Sequence, residues 1–208
     1  MRVELIAYIP SEVILKALEE RGLKISPDEL LRHLSYTFAI SGISRACSHQ
    51  LVRHRVASYS QQSQRYVRIE RIVGEAVKPD TISSSREAEG IFEELVKASE
   101  SAYLRLVQLG VPEEDARSVL PNAAPTNIVV TMTGSALYHF FGLRCCNRAQ
   151  KEIRDLADEM LVLCRQVEPE LFRRAGPYCF QKGYCEEGPL SCGRIEEMRE
   201  KYERLGYE

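Results

Sequence analysis

Between Arg45 and Ile69 the chain carries five arginines, no lysine and no acidic residue. At the centre of this stretch is Arg53-His54-Arg55-Val56-Ala57-Ser58-Tyr59-Ser60-Gln61-Gln62-Ser63-Gln64-Arg65-Tyr66. Unopposed guanidinium groups repel one another, so a fold that gathers them is suited to an anion. Their planar fork grips phosphate or carboxylate through two parallel hydrogen bonds, where lysine offers a point charge. The serines and glutamines between them supply neutral donors and acceptors for sugar hydroxyls or a heterocycle edge. The chemistry indicated is a pocket for a phosphorylated, ring-bearing small molecule. Taken alone, the Arg-His-Arg triplet also fits a solvated helix end.

The rest of the chain narrows the class. At 208 residues it suits one sizeable domain, or a core with a small appendage. Its formal charge of -2 makes the positive charge local, unlike the overall basicity of a nucleic-acid binder. No apolar run approaches the ~20 residues that span a bilayer, and the start Met1-Arg2-Val3-Glu4-Leu5 lacks the long apolar core of a secretory signal, so none is expected. Seven cysteines, an odd number, are expected to be reduced thiols in a cytoplasmic protein.

The elements that must position these residues read as α+β: a few-stranded mixed or antiparallel sheet with several long helices. Strands are expected over Arg2 to Ile9, Ser35 to Ile40 and Asn127 to Thr133, with a further short one over Arg68 to Val73. Helices are expected over Val13 to Glu20, Ile43 to Val52, Arg86 to Leu109, Pro112 to Val119, Gly134 to Leu143 and Ala149 to Val167. A charged helix starts at Arg194. Ser58 to Gln64 has neither period and reads as a structured loop. Residues 1–176 form the main domain and 177–208 a cysteine-containing tail. Cys179, Cys185 and Cys192 are spaced by five and six residues, a poor match to compact zinc spacings, with no obvious fourth ligand, so no metal is assigned.

The triplet Arg53-His54-Arg55 followed by Ser58, Ser63, Arg65 and Tyr66 resembles the signature of flavin-dependent thymidylate synthases, R-H-R-x-x-S-x-N-x-x-S-x-R-Y. Segments His33 to Phe38, Cys47 to Val52, Ala116 to Pro121 and His139 to Arg144 are similar to further family blocks in the same order. The chain departs from the pattern at Ser60, usually Asn, at Gln61, often Glu, and at Thr133-Gly134-Ser135, often Asn-Ala-Arg.

That resemblance implies synthesis of dTMP from dUMP, with methylenetetrahydrofolate as carbon donor, reduced FAD as hydride source and NADPH as reductant. It implies FAD contacts from Arg53, His54, Arg55, Gln61, Thr133, Gly134, Ser135 and His139. Contacts to dUMP are implied for Gln50, Leu51, Val52, Arg53, Gln61, Gln62, Ser63, Gln64, Arg65, Arg117 and Arg144. The resemblance implies Arg144 as the catalytic residue: a permanent cation beside the uracil ring would favour its N3-ionised form. His139 has the alternative of packing in the core, and His33 and His49 read as structural. A homotetramer with active sites shared between subunits is implied, with no nucleic-acid or membrane partner. The rival reading is a non-catalytic nucleotide- or phosphate-binding module using the same arginine loop.

Overall fold

A computed structural model describes residues 1–207. In chain order the elements are β1 (Arg2–Tyr8), α1 (Ser11–Glu19), α2 (Pro27–Leu30), β2 (Ser35–Ser44), α3 (Arg45–Leu51), β3 (Ser58–Gln61) and α4 (Asp80–Ser83). There follow α5 (Arg86–Gln108), α6 (Glu113–Ala116), β4 (Pro125–Thr133), α7 (Gly134–Arg144), α8 (Lys151–Val167), α9 (Tyr178–Lys182) and α10 (Ile195–Arg204). The protein is α+β, as its sequence pattern implies.

Among the described residues the strands form one sheet in the order β1-β2-β4-β3. Thr37 hydrogen-bonds Thr131 through their hydroxyls at 2.9 Å, and the Gly42 N–H donates to Asn127 Oδ1 at 3.2 Å. The pairing therefore advances along β2 as it retreats along β4, which makes these central strands antiparallel. Burial alternates with the pleat: Tyr36, Phe38 and Ile40 on β2, and Ile128, Val130 and Met132 on β4, are buried while their neighbours are not.

Contacts divide the chain into two compact units, the first of residues 1–2, 40–53 and 60–128, the second of residues 3–39, 54–59 and 129–208. In the first, α5 packs Val96 with Ile72 and Ala124. Its Glu100 carboxylate accepts the backbone N–H of Ile72 and Val73 at 2.5 and 2.8 Å. Those bonds explain why Arg68 to Val73 is not the strand its β-branched residues suggest: a side chain has taken N–H groups a strand partner would need. In the second unit, Arg165 on α8 is 1% exposed and donates to the carbonyls of Phe172, Arg173, Ala175, Tyr202 and Leu205. Five acceptors offset the cost of burying a guanidinium and tie the tail to the helix.

Two further expectations need correction. The segment expected as a helix from Ile43 begins as strand, because β2 continues to Ser44, whose side chain then caps α3 by accepting from the Cys47 N–H at 2.9 Å. Ser58 to Gln61 is strand β3, not loop, and the Gln62 N–H extends its pairing to the Asn127 carbonyl at 2.9 Å. A short polar edge strand has no hydrophobic period to reveal it.

Candidate functional site

In the first unit, α3 delivers the chain through Gln50, Leu51 and Val52 to Arg53. Leu51 is fully buried and anchors this helix end, whereas Arg53 is exposed. Gln61 acts as a strut: its Nε2 donates to Ser48 Oγ at 2.9 Å and to Thr126 Oγ1 at 3.3 Å. Both amide hydrogens are spent within the protein, leaving Oε1 as the atom Gln61 can offer a ligand. Gln62 is similarly engaged, accepting from Asn127 Nδ2 at 2.8 Å.

Gln62, Ser63 and Gln64 line a cleft of about 750 Å³. The Gln64 Nε2 is buried there without a hydrogen-bond partner. Leaving a buried amide donor unmatched costs about 1–3 kcal/mol, which a ligand acceptor would relieve. Ser63 Oγ accepts from the Arg65 N–H at 3.1 Å and shapes the turn. The Arg65 guanidinium donates from Nε and Nη2 to one Glu114 oxygen, at 2.9 and 2.8 Å. The carboxylate thus engages the fork that a phosphate would use, and the two anions would compete for it. Arg117 donates from Nε to the Glu114 carbonyl at 3.1 Å. Arg45, absent from the sequence-derived site, is half-buried and makes no ion pair with a described residue. Its proton affinity is reduced by burial and then by the charge of Arg117. Like charges held near one another favour an anion. Its place in the acid-free arginine stretch was the available signal.

The second unit holds His54, Arg55, Thr133, Gly134, Ser135, His139 and Arg144. Thr133 caps α7, accepting from the Ala136 N–H at 3.2 Å. The N–H groups of Gly134 and Ser135 donate to the carbonyls of Leu34 and Leu31 at 3.0 and 3.1 Å. A Cβ on Gly134 would lie 2.6 Å from Leu31 Cδ2 and 2.9 Å from its carbonyl oxygen, so glycine is required where the related motif often has alanine. This turn therefore works as a helix cap docked on Leu31. The Thr133 and Ser135 hydroxyls, 3.2 Å apart, are the groups it can present. His139, at an exposed position, shares a 2.6 Å hydrogen bond between its Nδ1 and the Tyr178 hydroxyl, which removes the alternative of a core-packed histidine.

His54 is 8% exposed, with its ring edge-on to Phe140 at 4.9 Å. Its Nε2 accepts from Arg144 Nε at 2.9 Å. An imidazole nitrogen that accepts is unprotonated, so the neutral Nδ1–H tautomer fits. Burial, the Arg144 charge and His139 push its pKa down to about 4. His54 thus anchors the Arg144 guanidinium through this bond, a contact its place in the triplet does not disclose.

A pH dependence follows. An unfolded histidine titrates near 6.5, so below that pH the unfolded chain takes up a proton that folded His54 refuses. The contribution of neutral His54 to stability is complete above pH 6.5 and is lost as pH falls toward 4, by roughly 3 kcal/mol in full. Denaturant midpoints should fall across that window in the parent protein. The drop should be visibly smaller in His54→Gln, and equal slopes in both proteins would contradict the assignment.

Residues 14–170 match the model of the family described as thymidylate synthase complementing protein. The chain is 50% identical over 189 residues to the flavin-dependent thymidylate synthase of Geobacter sulfurreducens, covering 91% of this chain and 81% of that one. The chain belongs to the flavin-dependent thymidylate synthase family. The flavin-dependent thymidylate synthase of Nitratidesulfovibrio vulgaris is 51% identical over 173 residues, covering 79% of this chain and 70% of its own. That of Pyrococcus furiosus is 42% identical over 192 residues, covering 89% and 79%. Family membership decides for an enzyme over a non-catalytic binding module.

As a flavin-dependent thymidylate synthase the chain takes FAD, and its residues fit that group. Arg53 and Arg55 are exposed and make no hydrogen bond or ion pair with a described residue, a donor set suited to a diphosphate. Cys145, beside Arg144, is fully buried, and burial pushes its thiol well up, so it is no candidate nucleophile. Among the described residues no helix is long and apolar enough to cross a membrane.

Proposed function

We propose that this chain converts dUMP to dTMP with methylenetetrahydrofolate as carbon donor and NADPH as reductant, working in the cytoplasm as a homotetramer with shared active sites. Bound FAD would supply the hydride. The observation that carries the reading is the anchoring of Arg144 on neutral His54, which holds a permanent cation in one orientation. In the proposal that cation faces the uracil edge and lowers its proton affinity, which enriches the ring carbon to be alkylated. No protein thiol is needed for that activation. Gln64 and Ser63 would meet the nucleotide in the cleft they line, with Arg65 and Arg117 on its phosphate, Arg65 having left Glu114. Arg53, Arg55 and the hydroxyl turn of α7 would hold the cofactor. Anaerobic oxidation of reduced flavin that depends on both dUMP and methylenetetrahydrofolate, with dTMP as product, is the expected result. Flavin oxidation indifferent to dUMP would refute the reading.

The shared site has its own test. Arg65 lies in the first unit and Arg144 in the second, and the proposal assigns the pair in each site to different chains. Inactive Arg65→Ala and inactive Arg144→Ala chains, unfolded and reassembled together, should recover part of the activity. Verified mixed oligomers without recovery would place both arginines of a site on one chain.

A further inference from the structure

Cys179, Cys185 and Cys192 gather late in the sequence, and the structure brings a fourth cysteine to them. Cys146, just past the end of α7, lines the same cavity of about 420 Å³ as those three. All four belong to the second unit, and none is in a disulfide. The other cysteines, Cys47, Cys145 and Cys164, are fully buried and do not line that cavity. We propose that Cys146, Cys179, Cys185 and Cys192 ligate an iron–sulfur cluster of the four-cysteine, four-iron class in this cavity.

Four thiolates select soft metals, chiefly zinc or iron–sulfur clusters. Zinc requires sulfurs about 2.3 Å from one point, hence about 3.8 Å from one another. No group of three His, Cys, Asp or Glu among the described residues could hold a single metal ion. A cluster places its irons at separate corners, so its ligands stand further apart and surround a volume. Here four cysteines line one cavity of about 420 Å³.

The surroundings agree. Cys146, Cys185 and Cys192 all lie near enough to Cys179 for their charges to act on its thiol. Asn147 Nδ2 lies 3.8 Å from Cys192 Sγ, a weak N–H···S contact of the kind that tunes cluster sulfurs. Arg144 and Arg148 line the cavity with positive charge, against Glu186 and Glu187. Regular structure is sparse here: between α9 and α10 there is one short 3-10 turn, Gly188–Leu190. A cluster would pin this segment, in which Cys179 directly follows Tyr178, the partner of His139. None of this depends on the roles given above to Arg53, Arg55 or Arg144.

The test is metal content of the full-length flavoprotein purified anaerobically, then reconstituted with an iron salt and sulfide under a thiol reductant. Iron and acid-labile sulfide should appear in equal amounts, about four of each per chain, with a paramagnetic signal after reduction distinct from a flavin radical. Cys146→Ser and Cys185→Ser should each lose most of the iron, and Cys47→Ala should keep it. Because a ligand variant can misfold, alkylation of the parent protein gives a second measure. Cys185 and Cys192 should react at least tenfold more slowly in the loaded protein than after iron removal. Absence of iron and sulfide after reconstitution would overturn the proposal, as would one zinc without sulfide, a disulfide within the set in anaerobic protein, or unchanged iron in both ligand variants.

Discussion

Arg144→Lys should lower dTMP formation by about 10²–10³-fold, the range for removing one preorganised donor from a developing negative charge. The charge survives the substitution but the geometry does not. Arg144 donates from Nε to His54 while its guanidinium plane is assigned to the uracil, two tasks for one rigid group. An ammonium on a flexible stem can meet one partner and has no plane to align with the ring. Steady-state kinetics should show the loss in kcat more than in KM for dUMP, since the interaction strengthens as the ring ionises. NADPH should still reduce the bound flavin, because Arg144 is assigned to the nucleotide. The His54→Gln protein offers an internal comparison: its amide can still accept from Arg144, so it should lose far less activity than Arg144→Lys. Near-normal dTMP formation by Arg144→Lys would remove Arg144 from the centre of the reaction.

The double replacement Arg53→Ala/Arg55→Ala should release FAD. Each charge-assisted hydrogen bond lost is worth about 1.5–3 kcal/mol, so losing two predicts flavin binding weaker by about 10²–10⁴-fold. The fold should tolerate the change, since both side chains are exposed and neither makes a described hydrogen bond or ion pair. That separates the outcome from general destabilisation: thermal unfolding of the flavin-free proteins should be nearly the same. Flavin retained at parent occupancy after gel filtration would free this triplet of its cofactor role.

Much of the molecule was legible in the residue order because the signals concerned are local. The 23-residue helix α5 shows its apolar stripe and its acidic first turn, and β4 shows its alternation. The arginine motif is a matter of spacing along one segment, so its resemblance to a known signature needed no coordinates. Other features depend on partners far away in sequence. His54 and Arg144 are 90 positions apart, and until they meet nothing marks the histidine as neutral or the arginine as anchored. Gly134 is a glycine because Leu31 lies against it, and Gln61 is a strut because Ser48 and Thr126 flank it. The segment 68–73 has strand composition but gave two N–H groups to Glu100, and β3 has loop composition but lies beside β4. In these two segments tertiary hydrogen bonds overrode the local pattern. Cysteine spacing alone supplied three thiols and no fourth. The end of α7 brought Cys146 to the same cavity, since helix packing, not sequence distance, decides which side chains share a space.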